Sequence, residues 1–366
     1  MIPIFSRNPP PANDASPPPP RPDYLFVESN LPTNERISTY DASGANAQYV
    51  GAFFLPSPAD LVWALRVSPD GQTVAAGVAN AVHLYGMDAG GGADVPARLA
   101  DPAAGLPGQC LGLSWSPDGR YLVATHENSP YITIYDWQSG SPVKIANPSV
   151  LPLGSYCYGS CWSPDGRYLV VTSSANRNLL SASTALARYI TIYDWQTGSP
   201  VKIADPAQPD FSAYACAWSL DGNWMAVAHS NGSGLTLYSV SGGVFTKVAQ
   251  PASPPNSRCL AVAFSPDSRF LAVGGVSNDD VWIYDLSGGA PVKVAIPLAT
   301  FGTVLALDWS ADGTKLAVGC SNGALNYVAT YTRSGATFTL DAAPSQTPSE
   351  TVYALAFRYS PYGYVP

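Results

Sequence analysis

Residues 162–170 read Trp-Ser-Pro-Asp-Gly-Arg-Tyr-Leu-Val, and they decide the fold because the same phrase recurs along the whole chain. Pro164 presets φ at the second position of a tight turn, and Gly166 can take a positive φ. Apolar runs that favour β-strands stand on both sides of the turn. Ser-Pro-Asp-Gly therefore predicts a corner that joins two antiparallel strands.

Seven copies of this corner can be placed, and the intervals between their serines are 48, 47, 56, 46, 45 and 50 residues. The copies lie at residues 67–71, 115–119, 162–166, 218–222, 264–268, 309–313 and, in degenerate form, 360–363. An interval in the mid-forties accommodates four strands with their turns. The 366 residues therefore predict one large repeat domain of four-stranded antiparallel sheets, instead of several ordinary domains.

The strand before each corner pairs a large residue with a small one. The small position holds Ala64, Gly112, Gly159, Ala215, Ala261, Ala306 and Ala354, and the preceding position holds Trp63, Leu111, Tyr158, Tyr214, Leu260, Leu305 and Tyr353. Successive side chains of a strand point to opposite faces. We therefore expect the large residue of one sheet to pack against the small position of its neighbour.

A proline follows the fourth strand of every unit, at Pro56, Pro102, Pro148, Pro206, Pro251, Pro297 and Pro344. Proline has no N–H to donate to a ladder, so it stops the outer strand.

These repeats resemble those of WD-repeat-like β-propellers that carry Ser-Pro-Asp-Gly, over roughly residues 23–363. Tyr-Asp stands where that family has Trp-Asp, and no Gly-His dipeptide occurs. The resemblance implies the architecture, and we carry over no binding residues from the family.

The last copy has its first strand at residues 351–357, and the missing strands match segments near the start, at 22–27, 36–41 and 49–53. The prediction is an all-β, seven-bladed β-propeller whose last blade is closed by one C-terminal and three N-terminal strands. This pairing removes two open sheet edges. We assign residues 23–366 to the propeller and residues 1–22 to a Pro-rich N-terminal arm.

The composition fits many short strands joined by turns, with 12% charged residues, 32 Gly and 35 Pro. A net charge of −8 argues against nucleic-acid or membrane partners. The first residues lack the pattern of a secretion signal. We therefore expect a protein of the cytoplasm or of a virion.

The six cysteines are sparse, and Cys157 and Cys161 are too far apart along one strand to form a disulfide. Cys110, Cys157 and Cys259 share one position in three repeats. We expect reduced thiols in the core.

Propeller enzymes usually place their ligands or acid–base groups around the central channel. The corresponding positions hold Leu61, Gln109, Tyr156, Ser212, Arg258, Thr303 and Thr351, without a carboxylate or histidine. This ring predicts no metal, no cofactor and no catalytic residue, and substitution of Gln109 or Arg258 is expected to change nothing. His126 and His229 are interpreted as histidines at sheet ends, outside any catalytic site.

Two features are candidates for contact with other protein subunits. The arm begins with the apolar residues Ile2, Ile4 and Phe5 and continues as a spacer that favours polyproline II. Trp137 and Trp195 follow Tyr-Asp at outer turns, where each can meet a partner or fold back onto its own blade. Residues 176–188 form the longest insertion in the ring.

The sequence thus favours a noncatalytic interaction scaffold, a structural subunit of a large assembly such as a bacteriophage virion. The alternatives are a hydrolase or lactonase with a site in the channel, and a carbohydrate-binding propeller that uses exposed aromatic residues.

Removal of residues 1–22 is expected to leave the melting temperature nearly unchanged, because these residues precede the first strand that the ring needs. The same truncation should abolish co-purification with a partner held by the arm. Unchanged co-purification would contradict the proposed role of the arm.

Overall fold

A computed structural model shows a ring of seven four-stranded antiparallel sheets, which confirms the predicted seven-bladed β-propeller. The structure describes residues 23–28, 37–44, 47–56, 61–87, 96–137, 141–152, 156–174, 188–195, 198–276, 281–297, 301–321, 327–344, 346–348 and 350–358. Within these ranges no helix is long and apolar enough to cross a membrane.

The strands follow one another in chain order as β1 (Tyr24–Glu28), β2 (Ile37–Asp41), β3 (Gln48–Phe53), β4 (Ala64–Val67), β5 (Thr73–Gly77), β6 (Val82–Gly86), β7 (Ala97–Arg98), β8 (Cys110–Trp115), β9 (Tyr121–His126), β10 (Ile132–Asp136), β11 (Val143–Lys144), β12 (Cys157–Trp162), β13 (Tyr168–Ser173), β14 (Ile190–Asp194), β15 (Val201–Lys202), β16 (Ala213–Trp218), β17 (Trp224–His229), β18 (Leu235–Ser241), β19 (Val244–Lys247), β20 (Cys259–Phe264), β21 (Phe270–Gly275), β22 (Val281–Asp285), β23 (Val292–Val294), β24 (Val304–Trp309), β25 (Lys315–Cys320), β26 (Val328–Ser334), β27 (Thr337–Leu340) and β28 (Leu355–Phe357).

Six blades use four consecutive strands each, and their inner strands are β4, β8, β12, β16, β20 and β24 for blades 1 to 6. Blade 7 combines β28 with β1, β2 and β3. Leu25 pairs with Phe357 and Val27 with Leu355 across this junction. The predicted closure by strands from both ends of the chain is therefore confirmed.

The corners are fixed by a small hydrogen-bond network of their recurring serine and aspartate side chains. In blade 3, the Ser163 hydroxyl donates to Asp165 at 2.5 Å and accepts the backbone N–H of Tyr168 at 2.8 Å. Gly166 donates its N–H to the Ser163 carbonyl at 2.9 Å with φ +70°. The positive φ explains why glycine ends most copies of the phrase. The corner at residues 360–363 lies outside the described residues.

The hydrophobic core lies between blades, where the outer face of one sheet packs on the next. Val123 and Ile134 of blade 2 share one buried cluster with Trp162 and Val171 of blade 3. The cysteines belong to this core, since all six are free and five are buried. The predicted placement of unpaired cysteines in the core is therefore confirmed for these five, and burial raises the pKa of the Cys110 thiol to about 12.

In blades 1 to 6 a tyrosine of the third strand links the blade to the preceding one. Its hydroxyl donates to a carbonyl in the loop after the preceding outer strand, as for Tyr135 to Ala104 (2.8 Å), Tyr193 to Val150 (2.9 Å), Tyr238 to Ala207 (2.7 Å) and Tyr284 to Ser253 (2.9 Å). Burial raises the pKa of all four phenols. These bonds satisfy polar groups at the outer edge of the ring.

The small position of the inner strand contacts the backbone of the next blade, and not a large side chain as we expected. A Cβ atom added at Gly112 would lie 2.6 Å from the Tyr158 carbonyl oxygen and 2.8 Å from the Gly159 Cα. Gly159 in turn approaches the backbone of Tyr214. The large residues lie half-buried instead, because the inner strands are too close to accept them between blades.

Gly112→Ala is expected to destabilise the fold by about 1–3 kcal/mol, because the added methyl group overlaps backbone atoms that cannot move independently. Gly288→Ala is the matched control, since a Cβ there meets nothing within 4 Å. Urea unfolding of both variants tests this difference. Equal stabilities would contradict the close approach of the inner strands.

Blade 7 reverses a charge that recurs in three other blades. Arg120, Arg167 and Arg269 pair with carboxylates at the end of the third strand, whereas the equivalent residue of blade 7 is Asp23. Burial, followed by the charges of Asp312, Asp308 and Asp41, raises the pKa of Asp23 from 3.8 to about 7.

Between pH 4 and 7 Asp23 therefore stays protonated in the folded protein. In the unfolded chain the same side chain has already lost its proton. Because the unfolded state binds fewer protons in this window, stability should fall as the pH rises through it. Asp23→Asn should reduce this fall, measured as the difference in melting temperature between pH 5 and pH 7. A variant with the same pH dependence as the wild type would contradict the assignment.

Candidate functional site

The seven inner strands surround a central channel, because each packs against the inner strands of both neighbouring blades. The residues just before these strands form one end of the channel, which we call the mouth ring. Its members are Leu61, Gln109, Tyr156, Ser212, Arg258, Thr303 and Thr351, and all of them are exposed or half-buried.

The mouth ring is held in place by backbone hydrogen bonds. The residue after the second strand donates its N–H to the ring residue, as Ser174 does to Tyr156 at 3.0 Å and Val276 to Arg258 at 3.0 Å. The same bond occurs from Ser230 to Ser212 at 2.9 Å. These bonds fix the backbone position from which each of these three side chains extends.

A second set of side chains lies one step deeper, and we call it the wall ring: Trp63, Leu111, Tyr158, Tyr214, Leu260, Leu305 and Tyr353, all half-buried. In five blades the register of the inner hairpin shifts at this residue, for example between Cys157 and Gly159. Such β-bulges leave one residue unpaired and redirect its side chain. We infer that the bulges turn the wall ring towards the channel.

Four residues of blades 3 to 5 form a continuous aromatic arc. The ring centroids of Tyr156 and Tyr158 are 6.2 Å apart, and those of Tyr158 and Tyr214 are 5.0 Å apart. The Arg258 guanidinium lies over the Tyr214 ring at 4.8 Å. We use "aromatic arc" for Tyr156, Tyr158, Tyr214 and Arg258.

The arc combines two kinds of recognition. Tyrosine faces stack on the apolar faces of flat or cyclic ligands. A guanidinium that stacks through its face keeps N–H donors in its plane, where they can bind a carboxylate or phosphate. The arc is therefore suited to a small cyclic ligand that carries an anionic group.

The opposite part of the channel contains a second aromatic pair with a buried carboxylate behind it. Trp63 and Tyr353 have ring centroids 4.8 Å apart. Glu28 is only 1% exposed, and its carboxylate accepts the backbone N–H of Tyr353 at 3.2 Å. Tyr353 thus connects the carboxylate to the channel wall.

Sequence reasoning missed Glu28, although a signal was present. The strand register aligns it with the fifth residue of the other second strands, which is Gly77, Thr125, Thr172, Ala228, Gly274 and Gly319. Blade 7 thus has a carboxylate at a position where the six other blades have a small or hydroxyl-bearing residue.

The remaining polar candidates have structural roles. Asp308 accepts the N–H of Trp309 at 3.0 Å and that of Phe357 at 2.9 Å, so it connects blades 6 and 7. Arg66 donates to the carbonyl of Leu65. Among the residues that the structure describes, no three His, Cys, Asp or Glu side chains are grouped to hold a metal ion.

His126 and His229 are fully buried at the ends of β9 and β17. The Nδ1 of His126 donates to the Asn128 carbonyl at 2.7 Å, and its Nε2 lies 3.1 Å from the Thr133 hydroxyl. Burial lowers the pKa of both imidazoles, so they remain neutral within the sheets.

Trp137 and Trp195, two of the residues predicted to meet a partner, lie away from the channel mouth. Trp137 packs edge-on against Trp115, and Trp195 is buried against Trp162 at 4.9 Å. Ile2, Ile4 and Phe5 lie outside the described residues, as does most of the insertion at 176–188. Contact of these residues with a partner stays a prediction, as do the expected partners and location.

The family model "WD domain, G-beta repeat" matches residues 252–285. Together with the seven-bladed ring, this match confirms that the chain is a WD-repeat-like β-propeller. No curated protein matches the sequence.

Similar folds occur among solved structures. A proposed 6-phosphogluconolactonase from Bacteroides uniformis has a TM-score of 0.72 and 14% identity, over 92% of this chain and 99% of that chain. The Pseudomonas aeruginosa periplasmic gluconolactonase has a TM-score of 0.68 and 18% identity, over 92% and 98%. A proposed 6-phosphogluconolactonase from Bacteroides fragilis has a TM-score of 0.64 and 17% identity, over 94% and 99%.

These similarities contradict our prediction of a noncatalytic scaffold in a virion, and with it the prediction that the protein is not an enzyme. They favour the lactonase alternative. Because the identities are 13–18%, they establish a shared fold, and the activity itself is a proposal.

Proposed function

We propose that the protein is a hydrolase of the lactonase type that acts on a small anionic sugar lactone at the channel mouth. The aromatic arc is the observation that carries the proposal, because it brings adjoining tyrosine rings and a guanidinium together at one accessible edge of the channel. The similarity to propellers named as lactonases supports the choice of reaction.

In the proposed reaction, water adds to the lactone carbonyl carbon and the ring carbon–oxygen bond breaks. The ring oxygen takes up a proton, and the product is an open-chain hydroxy acid. The Tyr158 and Tyr214 rings stack on the sugar, and Arg258 binds its phosphate or carboxylate group. A bidentate bond from guanidinium to such an anion also fixes the orientation of the ligand.

Attack by water requires a base, and we assign this role to Glu28, which lies across the channel from the arc and acts on the lactone through bridging water. It is the carboxylate that lies behind the wall ring, held against Tyr353. Carboxylates serve as general bases when their surroundings exclude bulk water. The assignment reverses our expectation that no carboxylate serves the channel, and it gives Arg258 a role that the sequence did not suggest.

Turnover of D-glucono-1,5-lactone and its 6-phosphate tests the proposal. Arg258→Met should raise KM for the phosphorylated lactone by about 10- to 100-fold, since a charge-assisted hydrogen bond contributes roughly 1.5–3 kcal/mol. Gln109→Ala is the matched control in the mouth ring and should change KM less than about twofold. Glu28→Gln should lower kcat by about 100-fold or more, at an unchanged melting temperature.

Asp308→Asn provides the opposite control, because its carboxylate bonds backbone groups across two blades. That variant should lower the melting temperature while the folded fraction keeps its kcat. Absence of turnover of both lactones by the wild-type protein would contradict the hydrolase. Binding of the sugar acid without turnover would instead favour the carbohydrate-binding alternative.

A further inference from the structure

A pocket lies between blades 1 and 2 at the end of the ring that carries the corners, away from the channel mouth. It is lined by the corner residues of both blades together with Thr73, Trp115 and Trp137. Asp70 and Asp118, one from each corner, are exposed and belong to the same lining.

The equivalent place is filled by an aromatic ring at the next two junctions. Tyr121 stacks on Trp162 at 6.3 Å with an interplanar angle of 17°, and Tyr168 stacks on Trp218 at 6.4 Å with an angle of 8°. Each tyrosine is the first residue of a second strand and covers the corner tryptophan of the following blade.

Blade 1 has Thr73 at this position. The register shows the equivalence, because Val74 pairs with Tyr85 as Leu122 pairs with Tyr135. A threonine side chain is too short to cover Trp115. The pocket therefore occupies the space that a tyrosine fills in blades 2 and 3.

Blade 1 also lacks the arginine that precedes the tyrosine in blades 2 and 3. Arg120 and Arg167 each place a guanidinium over the adjacent tyrosine at 4.9 Å, and the equivalent residue of blade 1 is Gln72. The other walls remain, since Trp137 packs edge-on against Trp115 at 5.3 Å, as Trp195 does against Trp162. Blade 1 thus lacks the Arg–Tyr pair, while the tryptophans of blade 2 that such a pair would cover are present.

We propose that this pocket binds a cationic aromatic group, meaning a planar ring with a positive charge attached close to it. The ring takes the place of the missing tyrosine on the Trp115 face. The positive charge is attracted by the carboxylates of Asp70 and Asp118 and by the indole faces. At the next two junctions the same combination comes from the chain itself, where an arginine and a tyrosine cover the corner tryptophan.

The group can be carried by a small aromatic amine or by a polypeptide with adjacent arginine and tyrosine. The proposal does not depend on the hydrolase activity, because the pocket shares no residue with the mouth ring, the wall ring or Glu28.

Titration of the full-length protein with tyramine tests the proposal, with 3-(4-hydroxyphenyl)propanoate as an anionic analogue of the same ring. Isothermal titration calorimetry should show one tyramine site with at least tenfold tighter binding than the analogue. Acetyl-Arg-Tyr-amide in a parallel titration distinguishes the two sources, because tighter binding of the peptide indicates a polypeptide and weaker binding a small amine.

Thr73→Tyr should weaken tyramine binding at least tenfold, since the new side chain fills the pocket. Tyr121→Thr is the matched variant, and it should create a second tyramine site over Trp162. If Thr73→Tyr does not fold, Trp137→Ala removes one wall and should weaken binding in the same direction. The proposal would be overturned if the wild type did not bind tyramine, or if Thr73→Tyr bound it equally well. The role of the carboxylates would be overturned if the anionic analogue bound as tightly as tyramine.

Discussion

The close approach of neighbouring inner strands is the constraint on which the rest of the structure depends. At Gly112 and Gly159 the backbones of adjacent blades leave no space for a methyl group. Large side chains therefore cannot lie between the inner strands, and we infer that in five blades the bulge beside the small residue turns them towards the channel. One packing requirement thus produces both the narrow ring and the aromatic lining of its channel.

The repeat made the architecture predictable, because the corner phrase encodes its own turn and hydrogen bonds. Even the closure of blade 7 followed from segments near the start that match missing strands. The wall ring was predicted as a set, but its orientation was not, since a bulge depends on pairing that a single strand does not reveal. The aromatic arc was missed for the same reason, because the contact between Tyr158 and Tyr214 depends on side-chain orientations at two bulged positions.

The most informative residues are those that break the repeat. Glu28, Asp23 and Thr73 each occupy a position at which other blades have a different chemical type, and each lies in blade 7 or blade 1. Blades 2 and 3 have nearly identical sequences outside the insertion, and their junctions are filled by the same aromatic stack. These three departures thus lie in the blade that closes the ring and in the blade that follows it.

The pairing of β1 with β28 also imposes an order of events during protein synthesis. Residues 24–28 are translated before the six other blades, and their inner partner at 355–357 is translated only after them. Until then β1 presents an unpaired edge, and Glu28 lacks the Tyr353 backbone that holds its carboxylate. At synthesis rates of about 5–20 residues per second, this interval lasts tens of seconds. The channel site that we propose is therefore assembled only after residues 355–357 have been translated.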